Sequence, residues 1–141
     1  MATPVYGKQF IRFAETGLVP DATALEQFTL VTIDNAAPTD PPTLELMVAA
    51  GEAFGVLQQD MPAVDADKAT TLQRLGTVAT SGLLLVAADA ANLQAQNDAL
   101  LVNANGKSSS AGGAVTVTAT TPIVRQQVVI GGVAMALVSF N

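Results

Sequence analysis

The stretch that decides the fold is residues 51–82, which read GEAFGVLQQDMPAVDADKATTLQRLGTVATSG. Residues 53–58 form its first predicted strand, and a polar excursion follows over residues 60–68. A second predicted strand, residues 70–75, is broken at Gly76, resumes, and closes at the final Ser-Gly pair. Apolar and polar residues that alternate between Gly, Pro and Asp are typical of antiparallel strands with one face in water. The stretch therefore predicts a small β-module, and it contains no recognisable catalytic motif.

The regions around this module show similar strand signals. Residues 28–33, FTLVTI, and residues 114–121, AVTVTATT, alternate and are rich in β-branched side chains. Residues 123–130 and 133–140 predict two further strands, joined at Gly131-Gly132. About eight short strands with regularly spaced turn signals indicate an all-β protein. We expect a small β-barrel or β-sandwich of short antiparallel strands, with an extended N-terminal arm and at most one or two short helices.

Turn-forming residues predict the connections in the first half of the chain. Residues 34–43, DNAAPTDPPT, form the clearest loop, because their prolines disfavour both a helix and a strand ladder. Residues 17–25 predict a turn followed by a possible helical turn. Residues 44–50 favour a strand over the first turn of a helix, since Gly51 and Gly55 would weaken a helix that continued.

The second half of the chain has weaker signals between its strands. Residues 87–96, AADAANLQAQ, fit a helix or a loop that returns the chain. Asn105-Gly106 is a strong hairpin signal and predicts an opposite strand that starts at Lys107. The small residues SSSAGG at positions 108–113 predict a mobile loop.

The chain length favours one domain preceded by an arm. A chain of 141 residues is the size of a single domain. Residues 1–13, MATPVYGKQFIRF, contain Lys8 and Arg12, no acidic residue and no clean periodicity. They predict an extended N-terminal arm, and an ordinary first strand is the open alternative. Residues 14–141 form the single β-rich domain of this interpretation.

Composition limits the partners that the chain can bind. Half of the residues are hydrophobic and only 13% are charged, which favours a protein that buries its surface against others over a compact monomer with a neutral surface. The net charge is −6 and the basic residues are scattered, so we expect no nucleic-acid partner. The most apolar run, residues 128–140, is too short to cross a bilayer, so we expect no membrane partner.

The residues that carry catalytic chemistry are scarce. The chain has no His and no Cys, which excludes Ser-His-Asp triads, thiolate nucleophiles and His- or Cys-bound metals. Asp60, Asp65 and Asp67 lack the glycine and distal Glu of a calcium loop, so a solvated acidic loop is the better interpretation. A carboxylate pair of a glycosidase stays open, although one Tyr and no Trp disfavour sugar stacking. We expect no enzyme activity, no metal and no cofactor.

Four segments carry a resemblance to a known family. They are residues 51–57 (GEAFGVL), 69–82 (ATTLQRLGTVATSG), 97–107 (NDALLVNANGK) and 130–138 (IGGVAMALV). In this order they resemble the core of lambda-type phage head decoration proteins and related capsid cement proteins. The resemblance covers residues 51–141, and the first 50 residues have no counterpart in it.

The resemblance implies a function on a phage head. Members of this family are small β-rich caps that bind the outer surface of the expanded capsid, often as homotrimers at three-fold positions, and reinforce it against DNA pressure. The implied partner is the major capsid protein, and the implied location is the outer surface of the virion. The alternative is a small β-sandwich module of a phage tail or fibre that binds a receptor or sugar, and a self-assembling shell protein is disfavoured. We expect the arm to contact the shell through Val5, Tyr6, Lys8, Phe10, Ile11 and Arg12.

Overall fold

The computed structural model describes residues 9–36, 38–65 and 74–141, and these residues form an all-β fold without a helix. The sheets do not close into a barrel, so of the two predicted architectures the sandwich agrees with the structure. The strands are β1 (Phe10–Val19), β2 (Leu30–Ile33), β3 (Leu44–Leu46), β4 (Gly51–Glu52), β5 (Gly55–Leu57), β6 (Arg74–Ala87), β7 (Leu101–Val102), β8 (Gly113–Thr116), β9 (Ile123–Ile130) and β10 (Val133–Phe140).

The long strand β6 is the centre of the larger sheet, whose order is β3-β2-β5-β6-β10-β9 with β1 also paired to β6. Ala79 pairs with both β1 and β5, and Leu83 pairs with both β1 and β10. Two partners of one residue lie on opposite sides of its strand. Therefore β5 and β10 follow each other along one side of β6, and β1 lies on the other side.

The predicted break at Gly76 and the predicted end at Gly82 are wrong, because β6 runs through both glycines. Gly76 pairs with Gly17 of β1, and Gly82 pairs with Ile11. A Cβ atom at Gly82 would lie 2.1 Å from the carbonyl oxygen of Phe10. This glycine therefore permits close approach of two backbones within a sheet, and a Gly signal alone cannot distinguish that use from a strand end.

The predicted helical turn within residues 17–25 is also absent. β1 continues to Val19, and Leu18 donates its backbone N–H to the carbonyl oxygen of Pro42 at 2.8 Å. Leu25 then exchanges two backbone hydrogen bonds with Met61, each at 2.8 Å. Hydrogen bonds to residues that are distant in the chain satisfy these backbone groups, so the local capping signal is overridden.

A smaller sheet with the order β4-β8-β7 completes the sandwich. One cluster of buried residues includes Ala79, Leu85 and Val115, and thus contains side chains from both sheets. A second cluster lies around Val31, Leu57 and Val78 of the larger sheet. Leu84, Leu85 and Val86 are consecutive and fully buried, so this part of β6 is covered on both faces.

Several predicted strands and loops are confirmed. β9 and β10 have the predicted bounds, and the turn between them is Gly131-Gly132 with φ of 58° and 81°. The described residues of the 34–43 segment form the connection between β2 and β3, as the prolines indicated. The predicted strand at residues 28–33 is shortened to Leu30–Ile33, because Phe28 has a φ of 66° that no strand accommodates. A strand follows at Leu44–Leu46 as favoured.

The segment between β6 and β8 differs from its prediction. Residues 88–100 are a loop, so of the two predicted alternatives, a helix or a loop, the loop is the one that the structure shows. The mobile loop predicted at residues 108–113 is wrong, because Ser108 and Ser109 are buried. The Ser108 hydroxyl donates to the Gln94 side chain at 3.0 Å, and the Ser109 hydroxyl donates to Asp89 at 3.1 Å. Polar partners far along the chain therefore hold a segment whose composition looked flexible.

The Asn105-Gly106 turn is present, with a hydrogen bond from Gly106 N–H to the Asn103 carbonyl at 3.2 Å. Its predicted second strand is reduced to a single bridge between Val102 and Ser108, and β7 pairs with β8 instead. No helix in the described part of the chain is long and apolar enough to cross a membrane.

Candidate functional site

The structure describes three of the six residues predicted to contact a shell. Val5, Tyr6 and Lys8 lie outside the described residues. Phe10, Ile11 and Arg12 form the beginning of β1. Phe10 pairs with Leu83 and Ile11 with Gly82 of β6, and Arg12 lies between paired residues. This part of the predicted arm is thus the edge strand of the larger sheet.

The beginning of β1 is exposed along its whole length. All residues from Phe10 to Thr16 are exposed, and burial begins at Gly17. The exposed fractions of Phe10, Ile11 and Phe13 are 68%, 43% and 62%. Within the described residues, this part of β1 pairs with β6 on one side and with no strand on the other, because the bridge to Thr43 occurs only at Leu18. Large apolar side chains beside an unpaired backbone edge are typical of a protein interaction site.

A β-bulge at Arg12 determines which side chains share a face. Ile11 pairs with Gly82 and Phe13 with Ser81, so Arg12 is an extra residue in β1. Without it, Phe10 and Phe13 would point to opposite faces, because they are three positions apart. With it, they lie opposite Leu83 and Ser81, which are two positions apart and share a face. We call Phe10, Ile11, Arg12 and Phe13 the β1 patch.

Arg12 adds a positive charge to this apolar patch. Its guanidinium carbon lies 5.9 Å from the centre of the Phe13 ring, within the range of a cation–π contact. An arginine beside exposed aromatic rings is the combination enriched at energetic centres of protein interfaces. The β1 patch therefore has the composition of a contact surface.

An open cleft of about 890 Å³ borders the β1 patch. Arg12, Phe13 and Glu15 of β1 line it, together with Glu52, Phe54 and Thr118 from later parts of the chain. The cleft lies where β1 of the larger sheet faces the ends of β4 and β8 in the smaller one. It presents two aromatic rings together with both signs of charge.

The rim of the cleft contains a strained turn. Thr118 and Ala119 have φ values of 51° and 62°, and Val117 and Thr120 exchange hydrogen bonds of 2.8 and 2.9 Å around them. The Glu52 carboxylate accepts a hydrogen bond of 3.0 Å from the Ala119 N–H. Thus Glu52 connects the rim turn to β4, and it holds the turn in a conformation that a β-branched residue rarely adopts.

The acidic excursion does not form a site in the described residues. Asp60 accepts a hydrogen bond from the backbone N–H of Gln27 at 2.8 Å, and Asp65 is exposed. Asp67 lies outside the described residues. Among the residues that the structure describes, no group of three or more Asp, Glu, His or Cys could hold a metal ion.

Hydrogen bonds hold the pKa of Asp89, in the loop after β6, below its usual value. Its oxygens accept hydrogen bonds from the Asn92 side chain at 3.0 Å and from the Ala91 N–H at 3.1 Å. These bonds lower the pKa of Asp89, the bond from Asn92 most strongly. The donors Asn92 and Ala91 are local, and the Ser109 hydroxyl donates from farther along the chain, so this carboxylate connects the loop after β6 to Ser109.

Sequence reasoning missed Phe13, Glu15, Glu52 and Thr118 as neighbours across one cleft. Phe13 was included in the arm but not among its contact residues, although its bulk gave a signal comparable to that of Phe10. The other three belong to β1, to β4 and to the turn after β8, which meet only in the folded sandwich, and nothing in their local sequence indicates a shared site.

Neither a protein-family model nor a curated protein matches this sequence. The function is therefore argued from the β1 patch and the cleft beside it.

Proposed function

We propose that this chain is a phage capsid decoration protein, which binds the outer surface of the head shell and stabilises it. The observation that carries the proposal is the β1 patch. It is an exposed strand edge with apolar and aromatic side chains and one arginine. The resemblance of residues 51–141 to decoration proteins supports the same function. The proposed partner is the major capsid protein, and the proposed state on the shell is a homotrimer.

The protein would stabilise the shell mechanically, because it would cover surface on two neighbouring shell subunits. The β1 patch provides apolar anchors and an unpaired edge for a shell subunit, and the remaining surface reaches the neighbouring subunit. Separating the two subunits would then re-expose the area that the cap buries, at about 25 cal/mol per Å² of apolar surface. A cap of this size can bury a standard interface of about 1,600 Å².

The proposal is tested by co-sedimentation with the cognate expanded shells. The variant Phe10→Ser/Phe13→Ser removes two exposed rings, and we expect its affinity for shells to fall at least ~10-fold, because aromatic anchors at an interface each contribute about 1–2 kcal/mol or more. The matched control is Leu93→Ser, since Leu93 is also exposed, at 48%, but lies in the loop after β6.

Circular dichroism and the melting temperature of each variant establish that the fold is retained. Undiminished binding of the Phe10→Ser/Phe13→Ser variant would exclude the β1 patch as the shell contact. If wild-type protein does not bind expanded shells, the decoration function itself is wrong.

The cleft supports a second candidate function, a receptor- or sugar-binding module of a phage tail or fibre. Phe13, Glu15, Glu52 and Phe54 place aromatic rings and carboxylates around one open cavity, a combination that carbohydrate sites use. Immuno-electron microscopy of purified particles distinguishes the two functions: label on the head supports decoration, and label on the tail supports the module.

A further inference from the structure

We propose that the pocket beside the β9–β10 turn binds the β1 patch of a second copy of this chain. The pocket has a volume of about 450 Å³. Buried side chains of Ile130 and Met135 line it, and Val133 at its edge is 57% exposed. An apolar floor that opens at the surface is suited to receive an apolar anchor from a partner.

The charges at the rim of this pocket indicate what the anchor carries. Glu26, Asp60 and Lys107 line it, so the rim carries two carboxylates and one ammonium group. Glu26 and Asp60 are both exposed. A partner with an apolar side chain beside a single positive charge would complement this rim.

The β1 patch has this composition. Phe10 and Phe13 are exposed and share a face, and Arg12 lies between them in the chain. The β1 patch has no acidic residue, whereas the chain as a whole carries a net charge of −6. The β1 patch thus combines large exposed apolar anchors with a positive charge.

The contact must form between copies. Pairing with β6 holds Phe10 opposite Leu83 and Phe13 opposite Ser81. The pocket is lined by β10, by Ala87 at the end of β6 and by Ala88 after it. Ser81 and Ala87 are six positions apart, about 20 Å along a strand, so the same copy cannot place both rings of its β1 patch in the pocket while β1 remains paired.

The association is head-to-tail, because the patch and the pocket are different surfaces. Self-association adds a second interaction to the proposed function, and its expected effect on shell binding rests on that function. Self-association would cover the β1 patch in free protein, so the shell and the second copy would compete for it. The self-association itself is measured without shells, and its outcome is independent of the decoration function.

Sedimentation velocity and light scattering of two complementary variants test the contact. The patch variant is Phe10→Ser/Phe13→Ser. The pocket variant is Glu26→Lys/Val133→Lys, which places two cations at the rim opposite Arg12. We expect concentrated wild-type protein to exceed the mass of one chain, and each variant alone to have the mass of one chain. An equimolar mixture should form a complex of two chains, since it retains one intact patch and one intact pocket.

The matched control for the pocket variant is Glu45→Lys/Val48→Lys. It makes the same two substitutions at exposed positions, with Val48 at 55%, and it should associate like wild type. Recovery of association in the mixture shows that both variants are folded. A wild type that stays at the mass of one chain, a mixture that fails to associate, or a pocket variant that still associates alone would each overturn the proposal.

With shells present, the two variants are expected to differ. The pocket variant should bind shells at least as tightly as wild type, because its β1 patch is free of competition. The patch variant should lose both interactions. If the pocket variant lost shell binding together with self-association, the competition would be wrong and the pocket would be part of the shell contact.

Discussion

Thr118 and Ala119 occupy a turn whose conformation suits other residues. Both have positive φ, and the turn joins two short antiparallel segments, as in a type I′ hairpin that prefers Asn-Gly. Left-handed backbone costs a side chain about 1–2 kcal/mol per residue. We expect Thr118→Asn/Ala119→Gly to stabilise the protein by about 1–2 kcal/mol, and to raise its melting temperature by about 3–6 °C. Thermal unfolding followed by circular dichroism measures this.

The control for this prediction is Ala114→Gly in β8, where the backbone is regular strand. There the same change should lower stability by about 0.5–1 kcal/mol, because glycine loses more freedom on folding. If Thr118→Asn/Ala119→Gly did not raise the melting temperature, the turn would not be strained.

Arg74 joins two segments that are distant in sequence. Its guanidinium donates to the carbonyl oxygens of Thr23 at 2.8 Å and of Pro62, and it forms an ion pair with Asp21 at 3.4 Å. We expect Arg74→Met to cost about 2–3 kcal/mol, because half-buried carbonyl groups lose their donor. Urea unfolding measures the loss. Arg125→Met, at an exposed position of β9, should change stability by no more than about 0.5 kcal/mol, and an equal effect at both sites would refute the role of Arg74.

Strand β1 depends on one glycine of β6. Gly82 has a φ of 127°, and a Cβ there would lie 2.1 Å from the Phe10 carbonyl oxygen. We expect Gly82→Ala to detach the beginning of β1, and to cost more than about 2 kcal/mol through backbone overlap and strain. Hydrogen exchange should then show loss of protection at Phe10–Ala14, while the amides of β9 and β10 remain protected.

Gly132→Ala separates backbone strain from overlap. Gly132 also has positive φ, 81°, but no atom lies within 4 Å of its Cβ position. It should cost only about 1–2 kcal/mol and leave the protection of β1 unchanged. Equal losses of stability in the two variants would mean that backbone overlap between β1 and β6 adds nothing to the cost at Gly82.

Two clusters of buried side chains share one strand within the part of the chain that the structure describes. Val78 belongs to one cluster and its neighbour Ala79 belongs to the other. Because β6 cannot unfold for one cluster alone, we expect a single cooperative transition. Leu57→Ala and Leu100→Ala, one in each cluster, should each cost about 2–5 kcal/mol and lower the same melting temperature. Calorimetry checks this, and two resolved transitions in either variant would show that the clusters unfold separately.

At the scale of elements, local pattern predicted the strands that need no distant information. β9 and β10 carry uninterrupted strand-forming residues around a Gly-Gly turn, so their bounds could be read directly. The continuity of β6 could not be predicted, because Gly76 and Gly82 break a strand or permit close packing according to what lies opposite them. The buried Ser108 and Ser109 are a similar case, since Gln94 and Asp89 satisfy their hydroxyl groups only in the folded chain.

The sequence by itself determined the all-β class, the proline-rich loop and the C-terminal hairpin, because alternation and turn residues act over a few positions. Bulky side chains beside a positive charge are visible without a fold, so the sequence also predicted Phe10, Ile11 and Arg12 as contact residues, and their contact with a shell stays a prediction. Only the tertiary structure decided that these residues form an edge strand, that a bulge brings Phe10 and Phe13 to one face, and that a pocket lies beside the turn between β9 and β10. The physical reason is that register and side of pairing depend on strands that are far apart in the chain.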